Sequence, residues 1–187
     1  MKTALLIIDI QNDYFEDGTM TLVNAESASK NVQLVLEKFR KEHLPVIHIQ
    51  HIATKPNATF FLPNTFGVEI HKNVQPLLNE KIIIKHFPNS FRETELLSFL
   101  RENQIKDLVI CGMMTHMCVD ATTRAANDFG LNCTLISDGC ATKDLEINSE
   151  KVKAIDVQNS FLAALNTTYA RVISTKTLLY TQNGFFQ

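Results

Sequence analysis

Leu108-Val109-Ile110-Cys111-Gly112, continued by Met113-Met114-Thr115-His116-Met117-Cys118 and a helix-period stretch to Phe129, decides how this chain is read. Its first four residues are an unbroken apolar run, as expected of a strand covered on both faces. Gly112 ends the run. Helical spacing extends from about His116 to Phe129, with Gly130 as the expected C-cap. Strand, turn and helix in that order form the repeating unit of an α/β fold.

The unit recurs on both sides. Upstream, Ala4–Ile8 reads as a strand, and a helix from about Ala25 to Glu42 places Ala28, Val32, Val35, Leu36 and Phe39 on one face. Val46-Ile47-His48-Ile49 and Lys81-Ile82-Ile83-Ile84 are further strands, and Leu96, Leu97 and Leu100 mark a helix. Downstream come Cys133–Ile136, a helix carrying Val152, Ile155, Leu162 and Leu165, and the strand Arg171-Val172-Ile173. Asn148 or Ser149 stands where it would cap that helix. Residues 52–72 form a long loop with Phe60, Phe61 and Phe66, and loops of that length are often functional. This alternation predicts a doubly wound, three-layer αβα sandwich on a mainly parallel sheet, one domain over residues 1–187. The tail from about Thr175 is unassigned; its Phe185 and Phe186 are candidates to pack on the domain or on a partner subunit.

Composition narrows the function. The chain is 45% hydrophobic, with 18 Lys plus Arg against 20 Asp plus Glu, so it is neither disordered nor built for nucleic acid. Four cysteines in 187 residues are too few for a disulfide scaffold, and none form a C-x-x-C pair. The apolar run at the N-terminus stops after Ile8, too soon for a signal sequence, and no stretch is long enough to span a membrane. A cytoplasmic location is expected.

In doubly wound folds, ligands bind beyond the carboxyl ends of the strands. Asp9 follows the first strand, Lys85 the third, and Cys118 lies between the fourth and its helix. The start of a helix and a nearby lysine both favour a thiolate, so a lowered thiol pKa is expected at Cys118. Asp9 is placed to take the thiol proton. Each residue also has an ordinary reading: a turn-capping Asp, a solvated Lys, a packed thiol. A peroxide-sensitive redox thiol and a non-catalytic binding module on the same fold are the other readings. Cys111, Cys133 and Cys140 read as packing residues.

These segments resemble the isochorismatase-like cysteine hydrolases. Leu6-Ile7-Ile8-Asp9-Ile10-Gln11-Asn12-Asp13 is similar to the family's opening motif, and Ile84-Lys85 with Asn89-Ser90-Phe91 to its lysine segment. Cys111 to Thr122 is similar to its nucleophile segment, and Ser137-Asp138-Gly139-Cys140-Ala141-Thr142 also fits. The resemblance implies an Asp9–Lys85–Cys118 triad and a six-stranded sheet in the order 3-2-1-4-5-6. It also implies a cis peptide at Met113–Met114 and an oxyanion hole from the backbone N–H groups of Met114 and Cys118. The expected substrate is a small molecule with a C–N amide bond, cleaved through a thioester. Gln11, Phe15, Gln50, Asn89, Phe91 and Thr115 are the candidates to line its pocket. Nicotinamidases of the family bind a divalent metal just after the second strand. Here His51 and Ala53 occupy those positions, so neither metal nor cofactor is expected, with His51 and His71 as the residues that would serve a metal-dependent nicotinamidase instead. Members of the family are commonly homo-oligomers.

Overall fold

The computed structural model describes residues 2–180. The elements run β1 (Lys2–Ile8), α1 (Ala25–Lys41), β2 (Val46–His51), β3 (Lys81–Lys85), α2 (Leu96–Glu102), β4 (Ile105–Met113) and α3 (Asp120–Asp128). They continue with β5 (Asn132–Ala141), the short strands β6 (Leu145–Ile147) and β7 (Glu150–Val152), α4 (Ala154–Thr168), β8 (Arg171–Ile173) and α5 (Thr175–Tyr180). Six strands form one sheet in the order β3-β2-β1-β4-β5-β8, and every pairing in it is parallel. Among those six strands this is the expected order 3-2-1-4-5-6. The sheet is the α/β architecture anticipated from the alternation. Phe185 and Phe186 lie outside the described residues.

The pleat divides β1 between two cores. Leu5 and Ile7 pack on the face with Val32, Val35, Leu36 and Phe39 of α1 and Leu178 of α5. Ala4, Leu6 and Ile8 pack on the opposite face with Leu96 and Leu100 of α2, Ala126 of α3 and Leu165 of α4. Each buried Val, Leu, Ile and Phe among them contributes about 1.5–3 kcal/mol of transfer free energy. Both sheet faces are therefore covered at β1, which explains its unbroken apolar run.

Two expectations fail locally. Coverage does not extend to the edge strand β3, where Ile82 and Ile84 are 43% and 50% exposed. The connection from β2 to β3 is a loop with two short 3-10 turns and no α-helix, so among the described residues that face has no covering layer. Asn148 and Ser149 cap no helix. Both have positive φ (52° and 63°) and turn the antiparallel β6–β7 hairpin. Two consecutive left-handed residues suit that twist, and Asn tolerates the conformation. The amide of Ala154, where α4 begins, instead donates to Asp144 Oδ1 at 2.7 Å.

Candidate active site

The three strand-end residues converge. Asp9 is the first residue beyond β1, Lys85 the last of β3, and Cys118 sits in a single π-helical turn, Thr115–Val119, between β4 and α3. All three are buried. Gly112 makes the convergence possible. Its φ is +131°, and a Cβ there would overlap the carbonyl oxygen of Ile8, its partner in register. Only glycine lets β4 pass this close to the end of β1, which carries the 113–118 segment onto Asp9. The Met113–Met114 peptide is cis.

Lys85 must reach across a strand. β3 is two positions from β1, about 9.5 Å at ordinary strand spacing. Its side chain spans the end of β2, and Nζ comes 2.7 Å from Asp9 Oδ2. The same ammonium lies 3.1 Å from the Phe87 carbonyl, 3.3 Å from that of Pro88 and 3.2 Å from His51 Nδ1. The Asp9 contact is an ion pair without hydrogen-bond alignment, and among the described residues neither carboxylate oxygen has a hydrogen-bond partner. An Asp9 oxygen, the Cys118 sulfur and a ring nitrogen of His51 all lie within 4.8 Å of one another.

Burial raises the Asp9 pKa, and Lys85 offsets part of that rise. Burial also opposes the charge on Lys85, but Asp9 and Cys118 outweigh it and the pKa is raised. The Cys118 thiol is pushed up by burial and then by Asp9, with Lys85 pulling the other way. The site is an Asp9–Lys85 ion pair beside a thiol whose pKa is raised. This corrects the expectation of a lowered thiol pKa. The helix start and the lysine favour a thiolate, but the loss of water around sulfur outweighs them.

Above Cys118 opens a cavity of about 330 Å³, lined among others by Tyr14, His51, Phe60, Phe61 and Met114. The Phe61 ring is 4.7 Å from that of Tyr14 and 5.7 Å from His51, centroid to centroid. Asp13 holds this wall in place: its Oδ2 accepts from the Phe61 amide at 2.6 Å, and its Oδ1 accepts from the Thr19 hydroxyl at 2.9 Å. Gly67 lies flat against the Asp13 carboxylate, where no Cβ would fit.

An Isochorismatase domain model matches residues 3–168. The chain belongs to the isochorismatase family. It is 51% identical over 179 residues to the uncharacterized isochorismatase family protein YddQ of Bacillus subtilis, covering 96% of this chain and 99% of that one. A crystal structure from Oleispira antarctica, described as an isochorismatase hydrolase, superposes with a TM-score of 0.92 at 46% identity, covering 95% and 96% of the two chains. A streptothricin hydrolase of Streptomyces noursei is 29% identical over 89% of this chain and 57% of its own length. The isochorismatase family is one of hydrolases, and this chain is one of its enzymes.

In this family member, the six expected pocket residues all lie outside the lining of the cavity over Cys118. Gln11 is fully buried: its Nε2 donates to the carbonyls of His51 (2.9 Å) and Val68 (2.7 Å), and its Oε1 accepts from the His51 amide at 2.8 Å. Phe15 stacks on His71 at 3.6 Å and borders a different cavity. Gln50 donates to the Val68 carbonyl, and Asn89 accepts from the Phe91 amide. Phe91 packs edge-on against Phe129. Thr115 is fully buried and donates to Gln158 or the Ala141 carbonyl. The cavity residue that sequence reasoning missed is Tyr14. It neighbours Phe15 in a turn that points the two rings apart, a parity no local pattern reveals.

A divalent metal would have to compete with the Lys85 ammonium for this donor set. The spacing of Asp9, His51 and Cys118 would admit a cation, but the Lys85 ammonium already faces both Asp9 and His51 Nδ1. Ala53 offers no ligand atom, and His71 stacks on Phe15 and borders the other cavity.

Proposed function

We propose that this enzyme hydrolyses the C–N bond of a small-molecule amide through a thioester on Cys118. The observation that carries the reading is the meeting of three strand ends: a buried thiol within 4.8 Å of a buried carboxylate that is itself paired with an ammonium. The relative named a streptothricin hydrolase is in keeping with it.

Asp9, whose pKa is raised towards that of a useful base, takes the Cys118 proton as the sulfur attacks the carbonyl carbon. The carbonyl π pair moves to oxygen, and the backbone N–H groups of Met114 and Cys118 receive the resulting oxyanion; one such donor contributes roughly 3 kcal/mol. Collapse breaks the C–N bond, and Asp9 returns its proton to the departing nitrogen. Asp9 then removes a proton from water as the oxygen attacks the thioester. The carboxylic acid leaves, and the proton goes back to sulfur. Lys85 stays charged throughout and keeps Asp9 oriented. The buried site excludes bulk water from these steps.

Cys118→Ala tests the reading directly. It should fold with an unchanged circular-dichroism spectrum and lose amide hydrolysis by at least about 10³-fold. Incubation of the native enzyme with a substrate amide should add an acyl mass to Cys118. Undiminished hydrolysis by Cys118→Ala would remove the triad from the mechanism.

A further inference from the structure

We propose that His51 selects the substrate, donating its Nε2–H to a hydrogen-bond acceptor that flanks the scissile amide. The proposal rests on the amidase reading above, because it needs the amide carbon to sit over Cys118.

An ammonium carries only donors, so the 3.2 Å contact between Lys85 Nζ and His51 Nδ1 requires a lone pair on Nδ1. A neutral imidazole with a bare Nδ1 carries its proton on Nε2. Lys85 therefore selects the His51 tautomer as well as pairing with Asp9. Burial, then Lys85, then His86 depress the imidazole pKa to about 3, so the ring is neutral at any working pH.

His51 Nε2 has no protein partner among the described residues, and the ring lines the cavity above Cys118. Its position is tightly set. Gln11 grips the backbone N–H and carbonyl of His51 with one side chain, at 2.8 and 2.9 Å. The ring stands between β1 and β3, beside Lys85 in register. Phe61 flanks it at 5.7 Å. A polar donor fixed this firmly in a largely aromatic wall is how a site fixes the orientation of a small ligand.

Among the described residues, no carboxylate lines this cavity other than Asp9 beneath it beside Cys118, and Lys55 stands in its wall. The substrate class is accordingly a small amide, uncharged or anionic, with a neutral acceptor atom near its amide carbon. An isosteric amide without that acceptor would leave the Nε2–H unpaired in the closed complex, and enzymes discriminate strongly on that basis.

The test pairs a direct readout with a chemical one. ¹⁵N imidazole NMR of the intact enzyme should find His51 neutral and Nε2-protonated from pH 5 to 8; an Nδ1–H tautomer, or titration in that range, overturns the proposal. For chemistry, benzamide and the three pyridinecarboxamides share size and shape and differ in one ring acceptor. The wild type should favour one pyridine isomer over benzamide by about 10-fold or more in kcat/KM. His51→Phe should collapse that ratio to about one, while His51→Gln, which supplies both an acceptor and a donor, should recover most of it. A wild-type enzyme that treats all four alike, a preference that survives His51→Phe, or four amides neither cleaved by wild type nor bound by Cys118→Ala would each overturn the assignment. Failure of the amidase reading is distinguishable: it appears as hydrolysis that persists in Cys118→Ala, whatever His51 does.

Discussion

Two carboxylates, Asp9 fully buried and Glu80 half-buried, sit at opposite ends of the same parallel sheet. Glu80 immediately precedes β3, and Asp9 is the first residue after β1. Glu80 is saturated. Arg40 grips it with two nitrogens at 2.7 and 2.8 Å, the Leu77 amide donates at 2.9 Å, and His48 Nε2 lies 2.9 Å away. Burial pushes its pKa up, but Arg40, Leu77 and His48 outweigh that and hold it at about 2. Asp9 has one ammonium and, among the described residues, no aligned hydrogen bond, and its pKa is raised. A saturated carboxylate is a poor base and a good brace; an under-served one next to a thiol is the reverse. The strand-end rule for parallel sheets is visible here as a difference in hydrogen-bond supply.

The largest expected effect is at the reactive end. Asp9→Asn should lower kcat/KM for amide hydrolysis by about 10³-fold, as loss of a general base does. Amide binding, followed by calorimetry, should change little; unimpaired turnover would equate the two carboxylates. At the other end, Glu80→Gln should cost about 2 kcal/mol in urea unfolding, since charge-assisted bonds to Arg40 and His48 are lost. Its kcat/KM per folded molecule should match wild type.

The acid limb of stability sharpens the contrast, because the two groups have opposite signs. Glu80 falls from its ordinary 4.5 to about 2 on folding, so the unfolded chain takes up the proton first as pH drops. Its contribution is present above about pH 4.5 and is lost as pH falls towards 2. Asp9 is raised above its ordinary 3.8, so the folded state holds that proton more tightly and its contribution declines as pH rises past 3.8. Unfolding curves between pH 2 and 6 should therefore rise less steeply with pH in Glu80→Gln and more steeply in Asp9→Asn. Among the variants that alter turnover, the smallest effect belongs to Gln11→Met. It should cost about 1 kcal/mol per lost bond and raise KM more than it lowers kcat, since Gln11 grips the His51 backbone and touches no reacting atom.

Much of this was open to reading in the chain itself. The strand runs at Ala4–Ile8 and Leu108–Cys111 are apolar because both sheet faces are covered, residues 9 and 85 fall at strand ends, and residue 118 falls in the turn after β4, whatever the packing. Those features are local, with periods of a few residues, and the sequence by itself determined them. It did not determine which neighbours of those residues face the cavity. Tyr14 lines it and Phe15 does not; Gln11 anchors backbone, and Asp13 fastens the Phe61 wall. Nor could it place His51 against Lys85, a contact between residues 34 positions apart that exists only through the β2–β3 register. The protonation state of Cys118 was likewise beyond it, because the thiol answers to how much water the fold removes, and burial is a property of the assembled layers rather than of any segment.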